Sequence, residues 1–241
     1  MTPSEAPYES AGADPLSAAA RRLIESVEAL TDKTWAGPSL LPGWTRGHVV
    51  AHLTLNGEAL AAALIGVVEG RPVPMYASDE ARNADIAELA ATPRAQVVRR
   101  LVTATGRFDE ALAAVAAAPG QVAERLIPRT PGGRRFAAAA AGEMRLREVE
   151  IHHVDLDVGY SPLDWSVPFV RDLLNHGVHR PHRIDALLKA TDLEWSHQIG
   201  SGGPTITGPA HGLAWWLTGR DPFPGAEPSS AEGPLPRIEA L

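Results

Sequence analysis

Arg147-Glu148-Val149-Glu150-Ile151-His152-His153-Val154-Asp155-Leu156-Asp157 sets three chemically demanding side chains on one helical face. An α-helix turns about 100° per residue, so positions four and seven apart stack on the same side. Glu148, His152 and Asp155 have that spacing. Ile151 and Val154 lie beside the stripe and mark the side that packs inward. Carboxylates and an imidazole on a partly apolar face are costly to bury unpaired. A divalent metal ion is one compensation, and ion pairing on a half-exposed helix is the other.

A second stretch is Leu41-Pro42-Gly43-Trp44-Thr45-Arg46-Gly47-His48-Val49-Val50-Ala51-His52-Leu53. It opens with a Pro-Gly turn and enters an apolar helix. His48 and His52, four apart, share a face. Val49, Leu53, Leu60 and Leu64 form the apolar stripe nearby. One imidazole from this helix would complete a site with Glu148 and His152. Two histidines and one carboxylate suit zinc with a position left open, and also iron, nickel or manganese. His52 lies one turn deeper and is the better ligand. His48 is left to cap the helix or line the mouth of the site.

A third stretch, Gly208-Pro209-Ala210-His211-Gly212-Leu213-Ala214-Trp215-Trp216-Leu217-Thr218-Gly219-Arg220, completes a pattern. With Leu41–His52 and Arg147–Leu156, in that order over most of the chain, it resembles the mycothiol-dependent maleylpyruvate isomerase family. That family belongs to the wider group of DinB-like metal-binding helical bundles. The resemblance implies zinc held by His52, Glu148 and His152, with mycothiol as a second cofactor. It implies an enzyme that turns maleylpyruvate into fumarylpyruvate by thiolate addition, bond rotation and elimination. It also implies that an arginine near Arg82 assists the substrate. By residue type alone, Arg82 is either a solvated helix charge or a planar fork for a carboxylate. Asp155 is expected to orient a ligand imidazole. Arg220 is expected either to reach substrate or thiol from the smaller domain, or only to favour a helix C-terminus. The same residues are compatible with a mycothiol-dependent S-transferase acting on another electrophile, and with a metal-stabilised binding module that catalyses nothing.

Composition narrows the field. The chain has 241 residues, 44% of them hydrophobic, which is enough for one large or two modest cores. The formal net charge of −7 argues against a basic nucleic-acid surface and against attraction to anionic membranes. With no cysteine in the chain, there is no disulfide, no thiolate ligand and no cysteine nucleophile. Sulfur chemistry therefore needs a low-molecular-weight thiol beside the small-molecule substrate. The first ten residues have neither a basic region nor an apolar core, and so do not read as a signal peptide. The longest apolar run, Ala59 to Val68 interrupted by Gly66, is too short to span a bilayer. The expected location is the cytoplasm. The residues assign no oligomeric state.

The expected fold is mostly α: a DinB-like four-helix bundle over residues 1–160 and a small α/β domain over 161–241, with a linker around Gly159–Trp165. Bundle helices are expected over about 16–30, 46–69, 93–118 and 138–157, after a loose tail at 1–14. Trp35 and Leu40 are expected to tuck into the core between the first two. Residues 75–92 read as a loop and a short helix over the site. Residues 125–136 read as a loop, with Arg134-Arg135 as a lid or a solvated turn. The second domain is expected to hold a helix from Ser166 and short strands over 187–191, 193–199 and 205–207. A helix ending near Gly219 follows, and then a proline-rich surface segment. Gly200-Ser201-Gly202-Gly203 reads as a turn and not a phosphate loop, because no Gly-Lys-Ser/Thr follows. His176, His179 and His182 repeat every third residue, but Pro181 interrupts any metal spacing there.

Overall fold

The protein, seen here as a computed structural model, is described over residues 14–181 and 183–238. The N-terminal tail and His182, and with it the three-histidine repeat, fall outside the described residues. The chain divides into two compact units, one running to Val158 and the other from Gly159.

In the first unit the long helices are α1 (Pro15–Glu28), α3 (Arg46–Val68), α5 (Arg94–Ala117) and α6 (Ala141–Asp155). Two shorter ones, α2 (Asp32–Trp35) and α4 (Asp79–Ala90), lie between them in sequence. Each long helix buries an apolar stripe: Leu23 and Val27 from α1, Val97, Leu101 and Phe108 from α5, and Val149 from α6. Helix α3 is buried nearly all round, with Val49, Leu53, Leu60 and Leu64 fully enclosed. By length and composition it could cross a membrane, unlike the shorter run read from sequence. However, 72% of its most apolar window is buried, which marks it as the central core helix.

The start of α3 explains the Pro-Gly-Trp-Thr-Arg-Gly-His sequence residue by residue. Gly43 makes the turn at φ 78°, a conformation that L side chains resist. Thr45 caps the helix by accepting from the His48 backbone N–H. His48 Nδ1 closes the reciprocal arm of the cap by accepting from the Thr45 backbone N–H at 3.3 Å, and it also lies 2.7 Å from Thr45 Oγ1. A Cβ on Gly47 would stand 2.6 Å from Trp35 Nε1, so glycine lets the first turn sit on the buried indole. Arg46 reaches the end of α6, donating from Nε to the Leu156 carbonyl at 2.6 Å. Its Nη2 donates to the Asp157 carbonyl at 2.9 Å and carboxylate at 3.1 Å. The Leu40 N–H adds a bond to the Asp155 carbonyl at 2.9 Å. The N-terminal end of α3 is thereby fastened to the C-terminal end of α6.

Several expectations are corrected. Leu40 is 44% exposed and not in the core; its backbone, not its side chain, does the work. The expected loop over 125–136 carries an antiparallel hairpin, β1 (Leu126–Pro128) with β2 (Arg135–Ala137). The connection after α1 holds the one-turn, fully capped α2. Arg134 and Arg135 are exposed on the hairpin.

The second unit contains α7 (Val167–Val178), β3 (Ala186–Ala190), β4 (Ser196–Ile199), β5 (Thr205–Gly208), α8 (Ala210–Leu217) and β6 (Ser229–Ser230). The strands form one sheet in the order β4-β3-β5-β6, with β3 and β5 parallel and the other pairs antiparallel. Helices α7 and α8 pack together, and α8 also lies on β3 and β5. Asp192 caps α8 by accepting from the Ala210 N–H at 2.7 Å. The proline-rich end does more than wrap the surface, since it supplies β6 to the sheet edge and buries Ala226 and Ile238.

Candidate metal centre

Helix α6 presents two polar faces. On one, Glu150 accepts from Arg22 at 2.9 Å and His153 Nε2 lies 2.8 Å from Ser26 Oγ, both across to α1. On the other, Glu148 and His152 meet His52 of α3. His52 Nε2 is 2.8 Å from Glu148 Oε2 and 3.1 Å from His152 Nε2, and His152 Nε2 is 3.4 Å from Glu148 Oε2. Among the described residues this is the only group of three metal-type donors that converges in this way.

That geometry tests whether a metal fits. Ligand atoms held tetrahedrally at zinc distances stand about 3.3–3.5 Å apart. The three separations here, 2.8 to 3.4 Å, reach that range from below, so the three atoms stand close enough to share one cation. His152 is set for the role: its Nδ1–H donates to Asp155 Oδ2 at 2.7 Å, which leaves Nε2 with its lone pair towards the trio. Asp155 is fully buried. Protein donors occupy three positions, and no fourth ligand-type side chain joins them among the described residues. The residues therefore fit a three-ligand zinc-type site with one open position.

Electrostatics follow from burial and contact. Burial drives the His52 imidazole down to about 4, against the opposing pull of Glu148, so its ring is neutral near pH 7. Burial also opposes charge on His152, but bonds to Asp155 and Glu148 more than offset it and raise its pKa. Burial alone would lift the Glu148 carboxyl; hydrogen bonds from His152 and His52 hold it well below the usual carboxylate range.

The surrounding residues are set by α4 and the hairpin. The Met75 and Tyr76 N–H groups donate to the Pro128 and Arg129 carbonyls at 3.1 and 3.0 Å. Arg129 pairs with Asp79 in the first turn of α4, and Ser78 caps that helix. Arg82, one turn on, then extends to His52, with Nη2 3.0 Å from Nδ1. The guanidinium groups of Arg82 and Arg129 lie over the Tyr76 ring, 5.6 and 5.4 Å from its centroid. Arg82 and Tyr76 also line a cavity of about 260 Å³, together with Leu55, Glu58, Met75 and Asp85.

His48 is occupied as a helix cap. Arg220 lies in the second unit, with its guanidinium 5.2 Å from the Trp215 ring centroid. Sequence reasoning missed Arg145, Asn56 and Tyr76. Arg145 is 2% exposed and donates to the Leu53 carbonyl at 2.8 Å and Asn56 Oδ1 at 2.9 Å. Desolvation lowers its pKa to about 10, and Glu148 is the first group opposing that shift. A signal was present, since Arg145 extends the Glu148–His152–Asp155 stripe by one turn.

Comparison with known proteins agrees with this fold. No curated protein sequence matches the chain. One similar solved structure is titled a mycothiol-dependent maleylpyruvate isomerase, with a TM-score of 0.83, 22% identity and 94% of each chain covered. Another is a histidine-to-alanine mutant of a mycothiol-dependent maleylpyruvate isomerase, with a TM-score of 0.82 at the same identity and coverage. At that identity the likeness speaks for the fold. The model of the mycothiol maleylpyruvate isomerase N-terminal domain matches residues 16–157, more than half of the sequence and the whole of the bundle that carries the trio. The chain belongs to the mycothiol maleylpyruvate isomerase N-terminal domain family.

Proposed function

We propose that this protein is a zinc- and mycothiol-dependent isomerase that converts maleylpyruvate to fumarylpyruvate. The observation that carries the reading is the convergence of His52, Glu148 and His152 beside Arg82 and its cavity. His52, Glu148 and His152 would hold the metal, and Asp155 would keep the His152 ring in the required tautomer. Zinc bound there supplies Lewis acidity that makes a thiolate available at neutral pH.

The chain has no sulfur nucleophile of its own, so the thiol of mycothiol is the reactant. Its sulfur adds to one carbon of the cis double bond, and the π electrons move to the conjugated carbonyl oxygen as an enolate. The former double bond then rotates as a single bond. Collapse of the enolate restores the double bond as trans and expels the thiolate unchanged. Arg82 would hold a substrate carboxylate and face the developing enolate charge. The bundle binds small molecules in this reading, and the cytoplasm is the compartment where the reduced thiol is available.

The test combines metal analysis with turnover. Wild type should bind one zinc per chain and consume maleylpyruvate only when mycothiol is present. Loss of the cis isomer that does not depend on thiol, or the absence of any such loss, removes the isomerase reading.

A further inference from the structure

Arg82 stands where two bonding patterns exclude one another. Its Nη2 lies 3.0 Å from His52 Nδ1. A guanidinium has five N–H donors and no acceptor, so the ring nitrogen facing it must offer a lone pair. The proton of the neutral His52 ring then sits on Nε2, the atom facing Glu148 Oε2 at 2.8 Å and His152 Nε2 at 3.1 Å. Rotating the ring by a half-turn would put carbon at both contacts, so the orientation is fixed. Coordination of a cation through Nε2 takes up the lone pair there and places the ring proton on Nδ1. Nδ1–H and the Arg82 N–H would then meet donor to donor. His152 is built the other way, because its Nδ1 faces a carboxylate acceptor, Asp155 Oδ2, at 2.7 Å.

We infer that cation binding at the trio drives Arg82 off His52, so that Arg82 couples metal loading to the presentation of a guanidinium in the neighbouring cavity. The inference rests on the metal reading proposed above. Arg82 keeps other holds when it leaves. Its Nη1 donates to Asn83 Oδ1 at 3.0 Å, and the Tyr76 ring lies under it. Glu58 on the cavity wall is already engaged by Arg100 at 2.7 and 2.8 Å. Asp85, one turn on from Arg82, is the other carboxylate on that wall and the protein group an anionic ligand must outcompete. The ligand chemistry the displaced guanidinium selects is a carboxylate or similar oxyanion. Arg82 is a positioning residue towards the metal and a binding residue towards that anion.

The experiment is a zinc titration of the full chain carrying ¹⁵N-labelled histidine, followed by long-range proton–nitrogen NMR. Without added zinc, His52 should carry its proton on Nε2, with a bare Nδ1. One equivalent of zinc should move the proton to Nδ1. With arginine ¹⁵N-labelled as well, the Arg82 guanidinium resonance should shift when the contact to His52 breaks, and Arg82→Met identifies that resonance by its loss. An Arg82 resonance unmoved by one equivalent of bound zinc, or a zinc-bound His52 with a bare Nδ1, overturns the coupling and leaves the metal site standing. Wild type that binds no zinc overturns the metal reading, and the coupling falls with it.

Discussion

Arg46 Nε donates to the Leu156 carbonyl oxygen at 2.6 Å, joining the first turn of α3 to the chain just beyond α6. His52 lies two turns further along α3, and Glu148 and His152 lie within the preceding turns of α6. The bond therefore sets how the helix carrying one ligand meets the helix carrying the other two. Arg46→Met would remove this bond, the two to Asp157 and a longer one to the Thr34 carbonyl. A hydrogen bond from a charged group contributes about 1.5–3 kcal/mol, so a loss of that order in stability is expected. Zinc affinity should fall as well, although no ligand has changed. Chemical denaturation and chelator competition on the same variant measure the two effects.

His52→Ala, Glu148→Ala and His152→Ala should each lose most bound zinc. His48→Ala and His153→Ala should keep it. The cost at His48 is instead a lost reciprocal helix cap, about 0.5–2 kcal/mol by analogy with other caps. Elemental analysis after dialysis gives the first comparison and thermal melting the second. Zinc loss in His48→Ala equal to that in His52→Ala would overturn the ligand assignment.

Asp155→Asn keeps the shape of the side chain but can present N–H where the carboxylate accepts. His152 would lose its enforced tautomer, and zinc affinity should drop ~10–100-fold while the protein stays folded. Competition with a coloured chelator reads the change directly.

Gly47→Ala should destabilise the protein by about 1–3 kcal/mol, because a Cβ there would press against the buried Trp35 indole. Gly57→Ala is expected to be milder. Its Cβ would stand 3.2 Å from Arg145 Nη2, at the far end of a longer side chain. Urea denaturation of the two variants ranks them, and a Gly57 variant worse than the Gly47 variant would contradict the packing described.

Much of this site was legible because helical spacing is strict. Glu148, His152 and Asp155 are separated by four and three residues, which puts them on one face of α6, and the structure sets the first two beside His52. Arg145 was less legible, since an isolated arginine ordinarily faces solvent, and its burial depends on acceptors offered by α3. Tyr76 was hidden for a similar reason. It is placed by its backbone bond to Arg129, just past β1, and by that of Met75 to Pro128 at the strand's end, and the three-residue strand buries only Ile127 fully. Such a strand leaves no periodic pattern to read. Leu40 misled because its apolar side chain suggested burial, whereas its N–H is the part the fold uses. The capped turn of α2 was too short to show a period, although Thr31 and Thr34 already carried the cap.

The fastening of α3 to α6 is lopsided in what it asks of the gene. Arg46 and Leu40 grip the main chain at positions 155 to 157, and only one of those bonds involves a side-chain acceptor. A carbonyl is encoded by every codon, so drift at position 157 leaves most of the grip intact. The filter there is conformational: Asp157 sits at φ 54°, which admits glycine and asparagine far more readily than branched residues. Position 46 has no such latitude, since only a guanidinium spans both carbonyls. In a saturation library, tolerance should be broad at 157 within that filter and nearly absent at 46.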